Sequence, residues 1–389
     1  MRKLPKAAAR SVTWLCTGLV ALGWLVVAPA NTFAWRVAPQ PRWQGVVQPA
    51  AVFGTDDRIP LPAKYKDLQE KIGLLFNPRS RMVCTAFCVA PDIVATAGHC
   101  LFRIAGEQAP RIGDFYFARN YDAVREHAHV AGHLNGSASQ HVMSGASALH
   151  MRPPIDATKD WALVRLAKAS CAKGVLPVKP LPTEEIIAAA AANRIFQVSY
   201  HRDFTPWRPA YASPCAIGRT FDKAEWTSIA QDFADADALL LHRCDTGGAS
   251  SGSPLLIDTP QGPEVVGINV GTYVQSKVEM MDGQVTRRFK AETVANTGVS
   301  ATQFASKLEV FRSAVILEKP AQMRELQSAL RQQQLYEGPV DGRYGAALRV
   351  AIEAYEKAKG LPVTGLATEA LLKRLGGGAG EKGKVRAKS

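Results

Sequence analysis

Three side chains that could share one reaction stand far apart in this 389-residue chain. Ser251 lies in Cys244-Asp245-Thr246-Gly247-Gly248-Ala249-Ser250-Ser251-Gly252-Ser253-Pro254, where small neighbours let the backbone turn tightly and present the hydroxyl. A serine is a weak nucleophile until an adjacent base takes its proton and a third group orients that base. Thr96-Ala97-Gly98-His99-Cys100 offers the imidazole, and Asp160 opens the apolar run Trp161-Ala162-Leu163-Val164-Arg165-Leu166. Each piece has an ordinary structural reading: a Gly/Ser loop, a histidine beside a cysteine, a strand-end cap. Together, in the order His, Asp, Ser, they point to nucleophilic acyl transfer. Asp156 is the second choice for the acid, with no strand directly after it.

That order is the one used on double β-barrels. At these residues the chain resembles the chymotrypsin-like (trypsin-fold) serine endopeptidases, above all the bacterial branch that carries Ser-Gly-Ser-Pro at the nucleophile. The resemblance runs from about Val52 to Val315, and Val52-Phe53-Gly54-Thr55-Asp56-Asp57-Arg58 resembles the opening of bacterial members. It implies an all-β double six-stranded barrel and assigns roles. Ser251 attacks the scissile carbonyl, His99 is the base and then the acid, and Asp160 holds the imidazole. The backbone N–H groups of Ser251 and Ala249 form the oxyanion hole. Ala249 stands where the family usually carries glycine, whose backbone angles alanine resists, so the hole is expected to form only with substrate. Ser250 replaces the aspartate that receives a new amino terminus in zymogens, so activation by N-terminal insertion is not expected. Asp245 has two readings: a pocket carboxylate favouring Lys or Arg at the cleaved position, or a structural group bonding loop amides. Thr246, Asn269 and Thr272 are the other expected pocket liners. Gly267-Ile268 is followed by Asn269 and not by the histidine of the glutamyl-specific branch, so a glutamate preference is not expected.

Length allows two or three domains. The formal net charge of +13 is concentrated at the ends. Arg2, Lys3, Lys6 and Arg10 lie at the start, and Lys382, Lys384, Arg386 and Lys388 stand against Glu381 at the finish. No basic stripe interleaved with aromatics follows, which argues against nucleic-acid binding. Residues 1–30 read as a secretory signal: four positive charges, an apolar run from Ser11 to Val27, then Ala28-Pro29-Ala30 as a cleavage site, with Thr32-Phe33-Ala34 as a second. An uncleaved leader would act as a membrane anchor. Cys16 lies in the leader, leaving Cys84, Cys88, Cys100, Cys171, Cys215 and Cys244, an even count in an oxidising context. Six cysteines allow about 15 connectivities. The resemblance implies Cys84–Cys100 and Cys215–Cys244, which leaves Cys88 with Cys171.

Residues 31–51 read as a linker or a strand laid across the barrel. Strand signals follow at Val83–Val94, Asp114–Ala118, Asp160–Leu166, Phe196–Tyr200, Ala238–His242, Pro254–Asp258 and Val265–Tyr273, with short helices at Glu184–Asn193 and Ala301–Phe311. His127, His129 and His133 lie in the irregular stretch from Asn120 to Pro154. They read as surface-loop residues, because no cysteine or carboxylate stands at a ligand spacing beside them. No metal and no cofactor are expected.

After Pro320 the period becomes helical: Met323, Leu326 and Leu330, then Leu348, Ile352 and Tyr355, then Thr368 to Leu375. Leu326-Gln327, the loop Gly338-Pro339-Val340-Asp341-Gly342-Arg343-Tyr344-Gly345 and the turn Gly360-Leu361-Pro362-Val363-Thr364-Gly365 resemble the peptidoglycan-binding three-helix module. Asp341, Gly342, Tyr344 and Tyr355 are the glycan-binding candidates that this resemblance implies. Leu348 and Glu356 depart from it, standing where Thr and Gln are usual.

The resulting expectation is a protease domain over 52–315, a small all-α module over 320–376 and a basic disordered tail over 377–389. The function expected is that of an exported endopeptidase, periplasmic or secreted, that acts on proteins or peptides and is held to peptidoglycan by its module. The alternative is a protease-fold protein of weak or no activity that serves as a wall-binding interaction module.

Overall fold

In the computed structural model, residues 40–48, 50–104, 111–121, 127–131, 139–146, 148–204, 207–221, 224–282 and 284–381 are described. The expected leader, residues 31–39 and 49 of the linker, His133 and the tail beyond residue 381 lie outside them.

The first sheet takes its strands from β-branched and small residues. It contains β2 (Ile72–Asn77), β3 (Met82–Ala90), β4 (Ile93–Thr96), β5 (Tyr116–Arg119), β6 (Val142–Ser144) and β7 (Ala162–Arg165). These pair antiparallel in the order β5-β2-β3-β4-β7-β6, with the short pair Ala128–His129 beyond β5. The second sheet is built on β8 (Ile195–Ser199), β9 (Leu239–His242), β10 (Pro254–Ile257), β11 (Glu264–Met281) and β12 (Gln284–Ser300), in the order β9-β12-β11-β10-β8. The strand β1 (Gln40–Gln48), within the stretch read as linker or strand, pairs antiparallel with β11.

Side chains on a strand alternate between faces, and the cores follow. On β3, Ala86 and Cys88 enter the interior of the first sheet with Val94, Phe117 and Val164. Phe87 faces the opposite way, into a layer shared with Trp161, Phe196, Tyr200, Tyr273 and Phe304. On β10, Leu255 and Ile257 fill the second sheet's interior while Leu256 joins the shared layer. The catalytic candidates lie at this seam. Three disulfides join Cys84–Cys100, Cys88–Cys171 and Cys215–Cys244. The first closes a loop of 16 residues behind His99, a cross-link that stabilises by about 3 kcal/mol in the chain-entropy account.

The strand expected over Val265–Tyr273 continues as β11 to Met281, and β12, which the strand signals do not predict, pairs with it in a long hairpin. The signal was there: Asp282-Gly283 is a strong hairpin turn between strand-forming runs. Beyond the sheets come α1 (Thr183–Ala191), α2 (Ala305–Ser313) and the module helices α3 (Pro320–Gln332), α4 (Ala346–Ala358) and α5 (Glu369–Glu381). Helix α5 runs into the stretch read as tail. Met323, Leu326, Leu330, Leu348, Ile352, Tyr355, Leu371 and Leu375 form the module core, and Leu348 fills space there that a threonine would leave partly empty. Arg349 ties the module to the β-rich body, its guanidinium donating to the carbonyl and hydroxyl oxygens of Ser144.

Candidate active site

His99 sits in the single turn Gly98–Cys100 that ends β4. β7 runs antiparallel to β4 with Ala162 opposite Thr96. Two residues back along β7 and two forward along β4, that register brings Asp160 beside Gly98. A side chain on Gly98 would lie about 3.2 Å from Asp160 Oδ1, so a small residue there lets the carboxylate approach. Asp160 is buried and grips His99 twice: Oδ1 accepts the backbone N–H at 2.8 Å and Oδ2 pairs with ring Nδ1 at 2.8 Å. A carboxylate accepts hydrogen bonds, so the proton sits on Nδ1 and Nε2 is the ring's basic nitrogen. Asp156 instead bonds His150 and Lys159.

Ser251 reaches the same seam from the other sheet. Its carbonyl accepts the N–H of Thr85 at 2.9 Å and lies 4.0 Å from Sγ of Cys100, the residue after His99. Gly252 follows at φ +86°, and a Cβ there would stand 2.2 Å from Thr85 O and from Thr96 Oγ1. Only glycine fits between this loop and the strands that carry the histidine. Asn269 staples the loop: its N–H and C=O bond Ser253 O and Gly252 N, and its amide donates to Ser250 O at 3.1 Å. Its Oδ1 accepts from Nε2 of the fully buried His242 at 3.0 Å. Burial lowers the pKa of His242 to about 4 and keeps it neutral.

Ala249 adopts φ +85°, the left-handed region that alanine resists. That conformation costs about 1–2 kcal/mol and is held in part by Thr85 Oγ1, which donates to Ala249 O at 2.9 Å. Among the described residues, no protein acceptor takes the N–H of Ala249 or of Ser251.

The pocket candidates are buried and already bonded. Asp245 accepts the backbone N–H of Phe53 at 2.8 Å and of Asp57 at 3.0 Å. Thr246 exchanges hydrogen bonds with Ala51, and Thr272 Oγ1 donates to Asn296 Oδ1 at 2.5 Å. Of the two readings of Asp245, this geometry is that of the loop-bonding one. Burial, with the Asp245 charge beside it, raises the pKa of Asp57. Sequence reasoning missed Asn296, whose amide also donates to Cys244 O at 2.7 Å. It missed His201 too, whose Nδ1 accepts the N–H of Gly247 at 2.9 Å and whose Nε2 donates to Ser199. Burial lowers the pKa of His201 to about 4, with the neighbouring Arg58 charge acting the same way. Arg58 bridges Asp56 and Asp203 at 2.6 and 2.9 Å. No local motif marks these residues; their partners lie up to 245 positions away.

Cys84, His99 and Cys100 come close enough to suggest a metal cluster. Both sulfurs are spent in a disulfide, so no thiolate is left to ligate. The exposed His127 and His129 rings pack on Tyr116, with centroids 5.0 and 4.1 Å away.

In the module, Gln327 clamps the motif loop. It donates to Asp341 and to Arg343 O and accepts from Gly342 N. Glu356 accepts from Thr364 N, Thr364 Oγ1 and Gly365 N. Tyr344 donates to Gly365 O at 2.6 Å, and Tyr355 is buried in the module core. Of the four glycan candidates, Asp341 is the one with an exposed side chain. The others shape the loop and the core beneath it.

Among solved structures, this chain is similar to a Glu endopeptidase in complex with MPD, at 17% identity over 67% of this chain and 98% of that one, with a TM-score of 0.40. It is also similar to the protease Anisep from Arthrobacter nicotinovorans, at 14% identity over 69% and 98%, with a TM-score of 0.41. No curated protein matches. Residues 319–375 match the family described as putative peptidoglycan binding domain. The Trypsin family matches residues 68–287, more than half of the chain, on the same span that carries His99, Asp160 and Ser251. The chain therefore belongs to the trypsin family and is a serine-type endopeptidase.

Proposed function

We propose that this protein is an exported endopeptidase that works through an acyl-enzyme on Ser251 and is tethered to the cell wall by its helical module. The observation that carries this reading is the double grip of Asp160 on His99 at 2.8 Å, with the Ser251 loop wedged against the same strands. His99 Nε2 takes the proton from Ser251 Oγ as it attacks the scissile carbonyl, and returns it to the leaving amine. Asp160 holds the tautomer and stabilises the imidazolium. The N–H groups of Ala249 and Ser251 receive the oxyanion; losing one such donor costs on the order of 10²–10³ in rate. Water then repeats the attack on the acyl ester and frees the enzyme.

The loop around Asp341 and Arg343 is the module's surface for peptidoglycan. Three disulfides suit an oxidising compartment outside the cytoplasm. A fluorophosphonate probe is the test of catalysis: a stable adduct on Ser251 in wild type, none in Ser251→Ala, and peptide-library cleavage that vanishes with the adduct. An unlabelled Ser251 in folded protein would leave the interaction-module reading. For the tether, purified peptidoglycan should retain the full chain and release a chain that ends near Pro320.

A further inference from the structure

Where the helical module meets the β-rich body, the two leave an open cleft of about 380 Å³. Ligand sites run from about 300 to 1,000 Å³, so the part of a ligand held here is short. One wall belongs to the body: Ser139 and Gln140, just before β6. The other belongs to the module: Glu318 just before α3, Met323 on its first turn, and Arg343 and Tyr344 from the motif loop. The walls are fixed to each other. Gln140 Nε2 donates to Leu317 O at 2.8 Å, and Arg349 holds Ser144 at the end of β6. A preformed cleft spares a ligand much of the cost of ordering its site.

The bond from Nε2 to a carbonyl settles which way the Gln140 amide lies, because its oxygen cannot face another acceptor. That oxygen, Oε1, is buried and has no protein partner among the described residues. The rim carries both signs of charge. Arg343 and Glu318 are exposed, and among the described residues neither side chain is hydrogen-bonded or ion-paired. An acceptor on the body's wall, with a cation and an anion on the module's, suits a ligand that has amide N–H groups, a carboxylate and an amine. The short stem peptides of peptidoglycan have all three, whereas its glycan strands are mostly hydroxyls and acetamides. We propose that the wall ligand of this protein is a stem peptide bearing a free amine and a free carboxylate, held in the cleft between Ser139 and Gln140 of the body and Glu318 and Arg343 of the module, so that the body supplies one wall of the site. The ligand's carboxylate pairs with Arg343 and its amine with Glu318. A ligand N–H that slides in beside Gln140 relieves the unpaired acceptor. The inference rests on the wall-tether reading above.

The probe is a synthetic stem peptide, N-acetyl-L-alanyl-γ-D-glutamyl-meso-diaminopimelate, titrated into the folded full chain by calorimetry and located by hydrogen exchange. It should slow exchange over 139–141 and 341–344 together, a readout in the wild type that stands even if a variant fails to fold. Ser139→Trp, which fills the cleft from the body's side, should weaken binding by about tenfold or more. Val350→Trp, on an exposed part of α4 that does not line the cleft, should bind as wild type does. Arg343→Gln and Glu318→Gln should each weaken binding severalfold. Amidating the peptide's carboxylates should cost the wild type severalfold and Arg343→Gln little, and acetylating its amine should spare Glu318→Gln in the same way, the pattern of matched partners. Glycan strands stripped of their peptides by an amidase should retain the full chain far less than whole peptidoglycan does. Exchange slowed over 341–344 alone, with Ser139→Trp binding as wild type, would overturn the body's share. Stripped strands that bind as well as whole peptidoglycan would overturn the peptide. A full chain that whole peptidoglycan does not retain would instead remove the tether reading, and this inference with it.

Discussion

The β-rich body and the helical module both bury polar side chains to hold a loop, but over very different distances along the chain. In the module, Glu356 bonds residues 8 and 9 positions away, and Gln327 bonds residues 14 to 16 away. In the body, Asp160 reaches back 61 residues to His99, His201 reaches forward 46 to Gly247, and Asp245 reaches back 192 to Phe53. The module's loops are thus products of a local fold, whereas the catalytic cleft exists only when two sheets and the N-terminal segment have met. The buried ionisable groups differ as well. The body hides neutral histidines with lowered pKa values, while the module hides a glutamate whose pKa is raised by burial.

The sharpest way to break this contrast is chemical. Asp160→Asn should lower peptide turnover by about 10⁴, because the imidazole loses the partner that fixes its tautomer, while circular dichroism stays native. If a module substitution lowered turnover as far, the independence of the two regions would be refuted.

Acid comes next. His201 and His242 have folded pKa values near 4 against an ordinary 6.5, so between those values the unfolded chain binds more protons. The body's stability is therefore full above about pH 6.5 and falls by a few kcal/mol as pH drops toward 4. Glu356 has the opposite sign. Its folded pKa is raised, so its part of the module's stability is greatest in acid and declines as pH rises through that value. Calorimetry across pH 4–7 should show the body's transition falling on acidification while the module's does not. His201→Gln should flatten the body's slope.

A smaller effect is expected from Glu356→Ala. It strands the buried amides of Thr364 and Gly365 and should cost the module about 1–3 kcal/mol, with peptide turnover unchanged. Smallest is Ala249→Gly. It relieves a left-handed alanine and should raise the body's stability by about 1 kcal/mol, read as a rise in Tm, with turnover equal to wild type or higher.

Much of the site was legible because its chemistry is carried by residue type. A histidine after small residues, an aspartate before an apolar strand and a serine among glycines each advertise a strained or exposed position. The expected resistance of Ala249 is met by a real positive φ, and Thr85 from another strand helps to hold it. The glycan candidates were harder. Tyr355 repeats at helical spacing with Leu348 and Ile352, and that periodicity marks core as readily as surface; the structure places it in the core.

Residue identity and order alone determined that a serine, a histidine and an aspartate were available as candidate nucleophile, base and acid, that two different periodicities divide the chain, and that glycines flank turns. Those are properties of side chains and of local backbone freedom. Tertiary structure alone decided that Asp245 bonds Phe53 and Asp57, that Asn296 and His201 belong to the site, and that β1 lies on the β11 edge. Register and burial are set by contacts between segments up to 245 residues apart. Many arrangements satisfy a given string of side chains locally, but very few pack two sheets without voids or unpaired polar groups.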